Sequence, residues 1–154
     1  MAVLSNVTLT IEKSTAAPTN VKVTIKYRLT PSRVEQMAHS VFNEDYSLLA
    51  RDWLILPMEA PVANELILPT RDSTIVTLRG TPFAVNETTP FVDRSRVFML
   101  AKSRLNEDPE TTASGSEVQD EVLARAKVTY AANQPVGALE PAPAYSSVLT
   151  GTWV

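Results

Sequence analysis

Between Val21 and Thr30 the chain alternates strictly. Val21, Val23, Ile25, Tyr27 and Leu29 are apolar or aromatic, and Lys22, Thr24, Lys26, Arg28 and Thr30 are polar. Successive side chains of a strand point to opposite faces, so this segment predicts a strand with one dry and one wet face. Such half-buried strands belong to antiparallel sheets, because parallel sheets are covered on both sides and read as continuous apolar runs. The pattern recurs along the chain. Val3, Val7, Leu9 and Ile11 share one face of a first strand, with Asn6, Thr8, Thr10 and Glu12 on the other. Ser73 to Arg79, Arg94 to Lys102 and Asp120 to Ala131 read as further strands, and Tyr145 to Val154 as a terminal one. From Phe42 to Leu49 the alternation suggests a third strand interrupted by Glu44. Trp53–Leu56 and Glu65–Leu68, each closed by a proline, read as short edge strands or bends.

One helix is expected. Ser32-Arg33-Val34-Glu35 has the Ser-x-x-Glu form of a capping box, and Val34, Met37, Ala38 and Val41 follow helical spacing. Glu110 to Glu117 and Asn133 to Pro143 are polar or proline-rich connections. About seven or eight strands without strand–helix alternation predict an all-β fold, an antiparallel two-sheet β-sandwich with one short helix after Thr30. The length suits a single domain over residues 1–154. The long proline-marked connections between Arg51 and Pro69 weigh against a closed barrel. In architecture the pattern resembles immunoglobulin-like and C2-like sandwiches, although the Cys…Trp…Cys hallmark of the former is absent.

Charge and composition narrow the function classes. The net charge is −3, and basic residues stand singly beside acids, as in Arg51-Asp52, Arg71-Asp72 and Asp93-Arg94. That is no footprint for nucleic acid, which needs clustered Lys and Arg. The chain has no cysteine, which removes disulfides, thiolate nucleophiles and Cys-bound metals. Met1–Asn6 offers neither a basic nor an apolar leader region, so no signal peptide is expected and synthesis is read as cytoplasmic. No apolar run approaches the ~18 residues of a membrane helix.

Catalytic chemistry finds little to build on, and the chain is read as non-enzymatic. The one histidine, His39, lacks a nucleophile elbow or a ligand partner at fixed spacing, and four scattered glycines make no phosphate loop. No cofactor is assigned. Calcium is the candidate cation, with Asp45, Asp52, Asp108 and Asp120 at strand ends or in loops as weak ligands whose spacing matches no EF-hand. Trp53, Tyr46 and Trp153 are candidate platforms for a glycan.

The favoured expectation is an assembly subunit. Both ends of the chain read as strands, and Val148–Val154 carries no charge. Terminal strands at sheet edges expose unpaired backbone groups that are either blunted or used for pairing with another chain. The expected interface comprises Val3, Val7, Leu9, Trp53, Ile55, Leu66, Leu68, Val148, Trp153 and Val154. The expected partner is a second copy or another assembly protein, as in a particle shell, tail or surface appendage. The alternatives are a glycan-binding sandwich and a calcium-dependent C2-like domain.

Overall fold

Two antiparallel sheets stack face to face. The computed structural model describes residues 1–54, 68–106, 120–131 and 140–153, and side chains within these except at 52–54 and 68–72. The strands are β1 (Val3–Lys13), β2 (Asn20–Thr30), β3 (Val41–Leu54), β4 (Leu68–Arg79), β5 (Phe83–Ala84), β6 (Val92–Ala101), β7 (Asp120–Tyr130), β8 (Ala144–Tyr145) and β9 (Leu149–Gly151). Among the described residues one α-helix, α1, spans Arg33–Met37, and a short 3-10 helix covers Lys102–Arg104. The first sheet has the order β1-β2-β6. The second has the order β4-β3-β7-β8, with β5 also on β3 and β9 also on β7. This is the expected all-β sandwich.

The core lies between the sheets. Val21, Val23, Ile25, Tyr27 and Leu29 of β2 face Phe42, Tyr46, Leu48 and Ala50 of β3 and Val122, Ala124, Ala126 and Val128 of β7. The polar half of β2 lies on the open outer face of the first sheet, as its alternation requires. The second sheet differs. Ser47, Leu49 and Leu123 occupy its far face and are buried there, and Leu49 and Leu123 are cross-strand partners. A strand buried on both faces loses its alternation, which is why Tyr46 to Ala50 reads as a nearly continuous apolar run.

Three strand readings need correction. Val3 does not share a face with Val7, Leu9 and Ile11, because the β1–β2 register shifts between Ser5 and Thr8 and Asn6 takes a positive φ of 52°. A bulge inserts one residue and flips the parity, so Leu4 turns inward and Val3 is exposed. Glu44 does not interrupt β3, which runs unbroken through it with Glu44 on the core face. Tyr145 to Val154 is not one strand. Its pieces β8 and β9 both pair with β7, and Ser146 bridges them, its backbone N–H reaching Ala124 O while its Oγ accepts from Ala124 N–H, each at 2.9 Å.

The capping box forms as expected. Ser32 caps α1, and Glu35 returns the bond to Ser32 N–H at 2.7 Å. His39 ends the helix in the left-handed region (φ 51°), its N–H bonded to Gln36 O. Asp120 to Tyr130 and Val92 to Ala101 form strands within a residue or two of expectation.

Candidate functional site

Two buried carboxylates organise the interior, and each joins parts of the chain that are distant in sequence. Glu44 lies on the core face of β3, where parity places Phe42 and Tyr46 on either side of it. Its carboxylate accepts from Tyr27 Oη at 2.5 Å, Tyr46 Oη at 3.0 Å, and Arg94 Nη2 and Nε at 2.6 and 3.2 Å. Tyr27 and Arg94 belong to the first sheet, Glu44 and Tyr46 to the second. The cluster is therefore a polar bridge through the sandwich. Arg94 also donates to Thr81 O at 3.1 Å and stacks over the Phe83 ring at 4.6 Å. Gly80 N–H bonds to Glu44 O at 2.8 Å. A Cβ at Gly80 would collide with Glu44 Cγ and Oε1, so this turn needs glycine for close approach.

Of the four donors on Glu44, three (Tyr27 Oη, Tyr46 Oη and Arg94 Nε) converge on Oε2 and one (Arg94 Nη2) reaches Oε1. Burial first, and then the bond to Glu44, push the Tyr27 phenol well above the usual tyrosine range. Burial likewise raises Tyr46, with the adjacent Glu44 charge adding to it. The bond to Glu44 raises the Arg94 guanidinium further. The arrangement holds a fixed ion pair with neutral phenols packed around it.

Glu35 plays the same part at one end of the sandwich. Its Oε1 accepts from Ala2 N–H at 2.8 Å and from the Tyr130 hydroxyl, and its Oε2 accepts from Ser32 N–H and Oγ at 2.7 and 2.8 Å. Burial works to raise this carboxyl, but the donors on Tyr130, Ser32 and Ala2 outweigh it and hold Glu35 below its ordinary value. The helix cap, the start of β1 and the end of β7 thus meet on one side chain. Both carboxylates are committed to holding the fold.

Outside, the uncovered face of the first sheet carries Thr8, Thr10 and Glu12 from β1, Lys22, Thr24, Lys26 and Arg28 from β2, and Asp93, Ser95, Val97 and Met99 from β6. Two shallow adjoining grooves of about 460 and 430 Å³ run across it and share Lys26 and Ser95. Arg28 pairs with Asp93 at 2.7 Å and covers Phe91 at 3.8 Å. Val97 and Met99 remain 51% and 50% exposed, side by side on the outer face of β6. Met1, Val3, Val34 and Met37 are exposed too. The segments bearing them meet at one end of the sandwich, through the bond from Ala2 to Glu35 and the pairing of Val3 with Thr30.

The expected interface residues scatter. Val3 is exposed, whereas Val7 and Leu9 pack against the core from the edge strand β1. Trp153 packs against the core beside Gly151, and Val148 is half-buried. Ile55, Leu66 and Val154 lie outside the described residues, as do the side chains of Trp53 and Leu68. Of the glycan candidates, Tyr46 must be withdrawn as a surface platform, since its ring is in the core and its hydroxyl is bonded to Glu44. Among the described residues no three acidic or histidine side chains gather as metal ligands. Asp45 lies 3.7 Å from Arg79, Asp120 is buried at the start of β7, and Asp108 and the side chain of Asp52 lie outside the description. His39 is exposed, 3.9 Å from Glu87.

No protein-family model matches the chain, and no curated protein matches it. Among solved structures, the sporulation control protein Spo0M from Bacillus subtilis aligns with 94% of this chain and 47% of its own, at 12% identity and a TM-score of 0.44. The chain spans about half the length of that protein. No helix among the described residues is long and apolar enough to cross a membrane.

Proposed function

We propose that this chain is a non-enzymatic structural and interaction module that joins copies of itself into a homo-oligomeric assembly. The observation that carries the reading is the first sheet. Neither β1 nor β6 is hydrogen-bonded to a strand on its other side among the described residues, although β7 and β8 approach β1 closely, and the sheet's outer face is open to solvent. Unpaired strand edges are templates for another chain unless they are blunted. The exposed Val97 and Met99, together with Met1, Val3, Val34 and Met37 at one end, supply apolar area that a partner can cover. The interior supports the same reading, because Glu44 binds Tyr27, Tyr46 and Arg94 and so braces the two sheets against each other.

Molecular mass by sedimentation equilibrium tests this directly. The expected result is a defined oligomer that dissociates on dilution. A monomer persisting at the highest soluble concentration overturns the reading.

A further inference from the structure

The two free edges of the first sheet are not equivalent. β1 is broken by the bulge at Asn6, and bulges twist an edge away from flat pairing. β6 pairs with β2 through ten consecutive positions with no register shift. No backbone group among the described residues bonds to its other side. Its C-terminal half, Val97-Phe98-Met99-Leu100-Ala101, carries no charge, whereas Asp93, Arg94 and Arg96 lie in the other half. The regular edge is β6.

We infer that β6 pairs antiparallel with β6 of a second copy, with Val97 on the two-fold axis. This rests on the assembly reading above and specifies its contact. Directly opposed residues of an antiparallel pair lie on the same face and repel when their charges are alike. On β6, Val92, Arg94, Arg96, Phe98 and Leu100 take the inward positions, and Asp93, Ser95, Val97 and Met99 the outward ones. Arg96 has an inward position opposite the buried Ile25, yet its side chain is exposed at the open edge. An inward charge of this kind guards an edge against indiscriminate pairing, and here it selects a register.

Centring the pair on Arg96 opposes the two arginines directly. Centring it on Ser95 sets Arg94 against Arg96, and centring it on Phe98 sets Arg94 against Lys102. With Val97 on the axis, Arg96 faces Phe98, Ser95 faces Met99 and Asp93 faces Ala101. The two Arg96 then meet only on a diagonal. This register opposes no like charges, places each guanidinium beside a ring, and covers the exposed Val97 and Met99. It joins two three-stranded sheets into one of six strands. Self-pairing of this kind is isologous and closes as a dimer.

Because the chain contains no cysteine, an introduced thiol is its sole one. Directly opposed strand residues sit about 4.5–5.5 Å apart between Cα atoms, within disulfide range. Under mild oxidation Val97→Cys is expected to give a disulfide-linked dimer. Ser95→Cys and Met99→Cys are each expected to link only when mixed, and Thr10→Cys on β1 is expected not to link. Val97→Lys, on the solvent face and so without cost to the core, is expected to lower the mass to that of the monomer with an unchanged circular dichroism spectrum. If the parent has oligomeric mass but Thr10→Cys links and Val97→Cys does not, this inference fails while the assembly reading stands. If the parent is a monomer, both fail.

Discussion

Replacing Gly80 by alanine separates two opposing effects whose signs are known. Gly80 lies outside the left-handed backbone region. At such a site the added methyl normally restricts the unfolded chain and stabilises a protein by ~0.4–1 kcal/mol. Here the new Cβ would fall on Glu44 Cγ and Oε1, and within 2.6 Å of its Cδ. A flexible surface side chain could swing aside, but Glu44 is buried and held by Tyr27, Tyr46 and both nitrogens of Arg94. Forcing a group into a packed core costs ~1–3 kcal/mol. Each hydrogen bond lost from a charged group adds ~1.5–3 kcal/mol. With one such bond broken and the entropic gain subtracted, Gly80→Ala should destabilise by roughly 1.5–5.5 kcal/mol. At a urea dependence of ~2 kcal/mol per molar, the middle of the usual ~1–3 range, the unfolding midpoint falls by about 1–3 M. A double-mutant cycle isolates the cause. In a Glu44→Ala background the collision is absent, and Gly80→Ala should then be neutral or stabilising by ~0.5 kcal/mol. A Gly80→Ala protein as stable as its parent would refute the description of a rigid bridge around Glu44.

Tyr27, Tyr46 and Tyr130 have raised phenol values in the fold, burial being the largest cause for each. Their contribution to stability is complete below the free-phenol value of ~10 and is lost as pH climbs above it. Absorbance at the phenolate band should therefore lag behind that of urea-unfolded protein in an alkaline titration, and coincident curves would contradict the burial. The lowered carboxyl of Glu35 acts in the opposite direction. It contributes stability above its unfolded value, which disappears as pH falls through the folded one. Glu35→Gln should flatten the acid limb of a stability–pH profile, and an unchanged limb would disprove the assignment. Asn6 holds a positive φ that β-branched residues resist. Asn6→Val should cost ~1–2 kcal/mol in thermal or urea unfolding while Asn6→Gly stays within a few tenths, and equal effects would argue against the bulge.

The sheet architecture is largely legible because β2 follows the two-residue period without interruption and β7 departs from it only at Leu123, and because Ser32 and Glu35 mark the helix. The errors have separate physical causes. Register was misjudged in β1 because a bulge adds one residue and leaves no compositional trace beyond Asn6 itself, a residue that tolerates positive φ. The last ten residues looked like one ribbon because nothing in the alternation shows that the Ser146 side chain replaces a backbone bond to β7.

Glu44 is the instructive miss. It stands at the parity of Phe42, Tyr46 and Leu48, and an acid at a core position is either a break in the strand or half of a buried pair. The choice between these depends on a cation arriving from the other sheet, and Arg94 is 50 positions away. Parity alone would have flagged Arg94 and Arg96 together as charges on the inward face of β6. Their positions along β6 separate them: Arg94, opposite Tyr27, meets Glu44 across the sandwich, and Arg96, opposite Ile25, is exposed at the open edge. The same residue type at the same parity thus braces the interior at one position and, two residues later, stands exposed at the edge, where in the proposed pairing it selects the register.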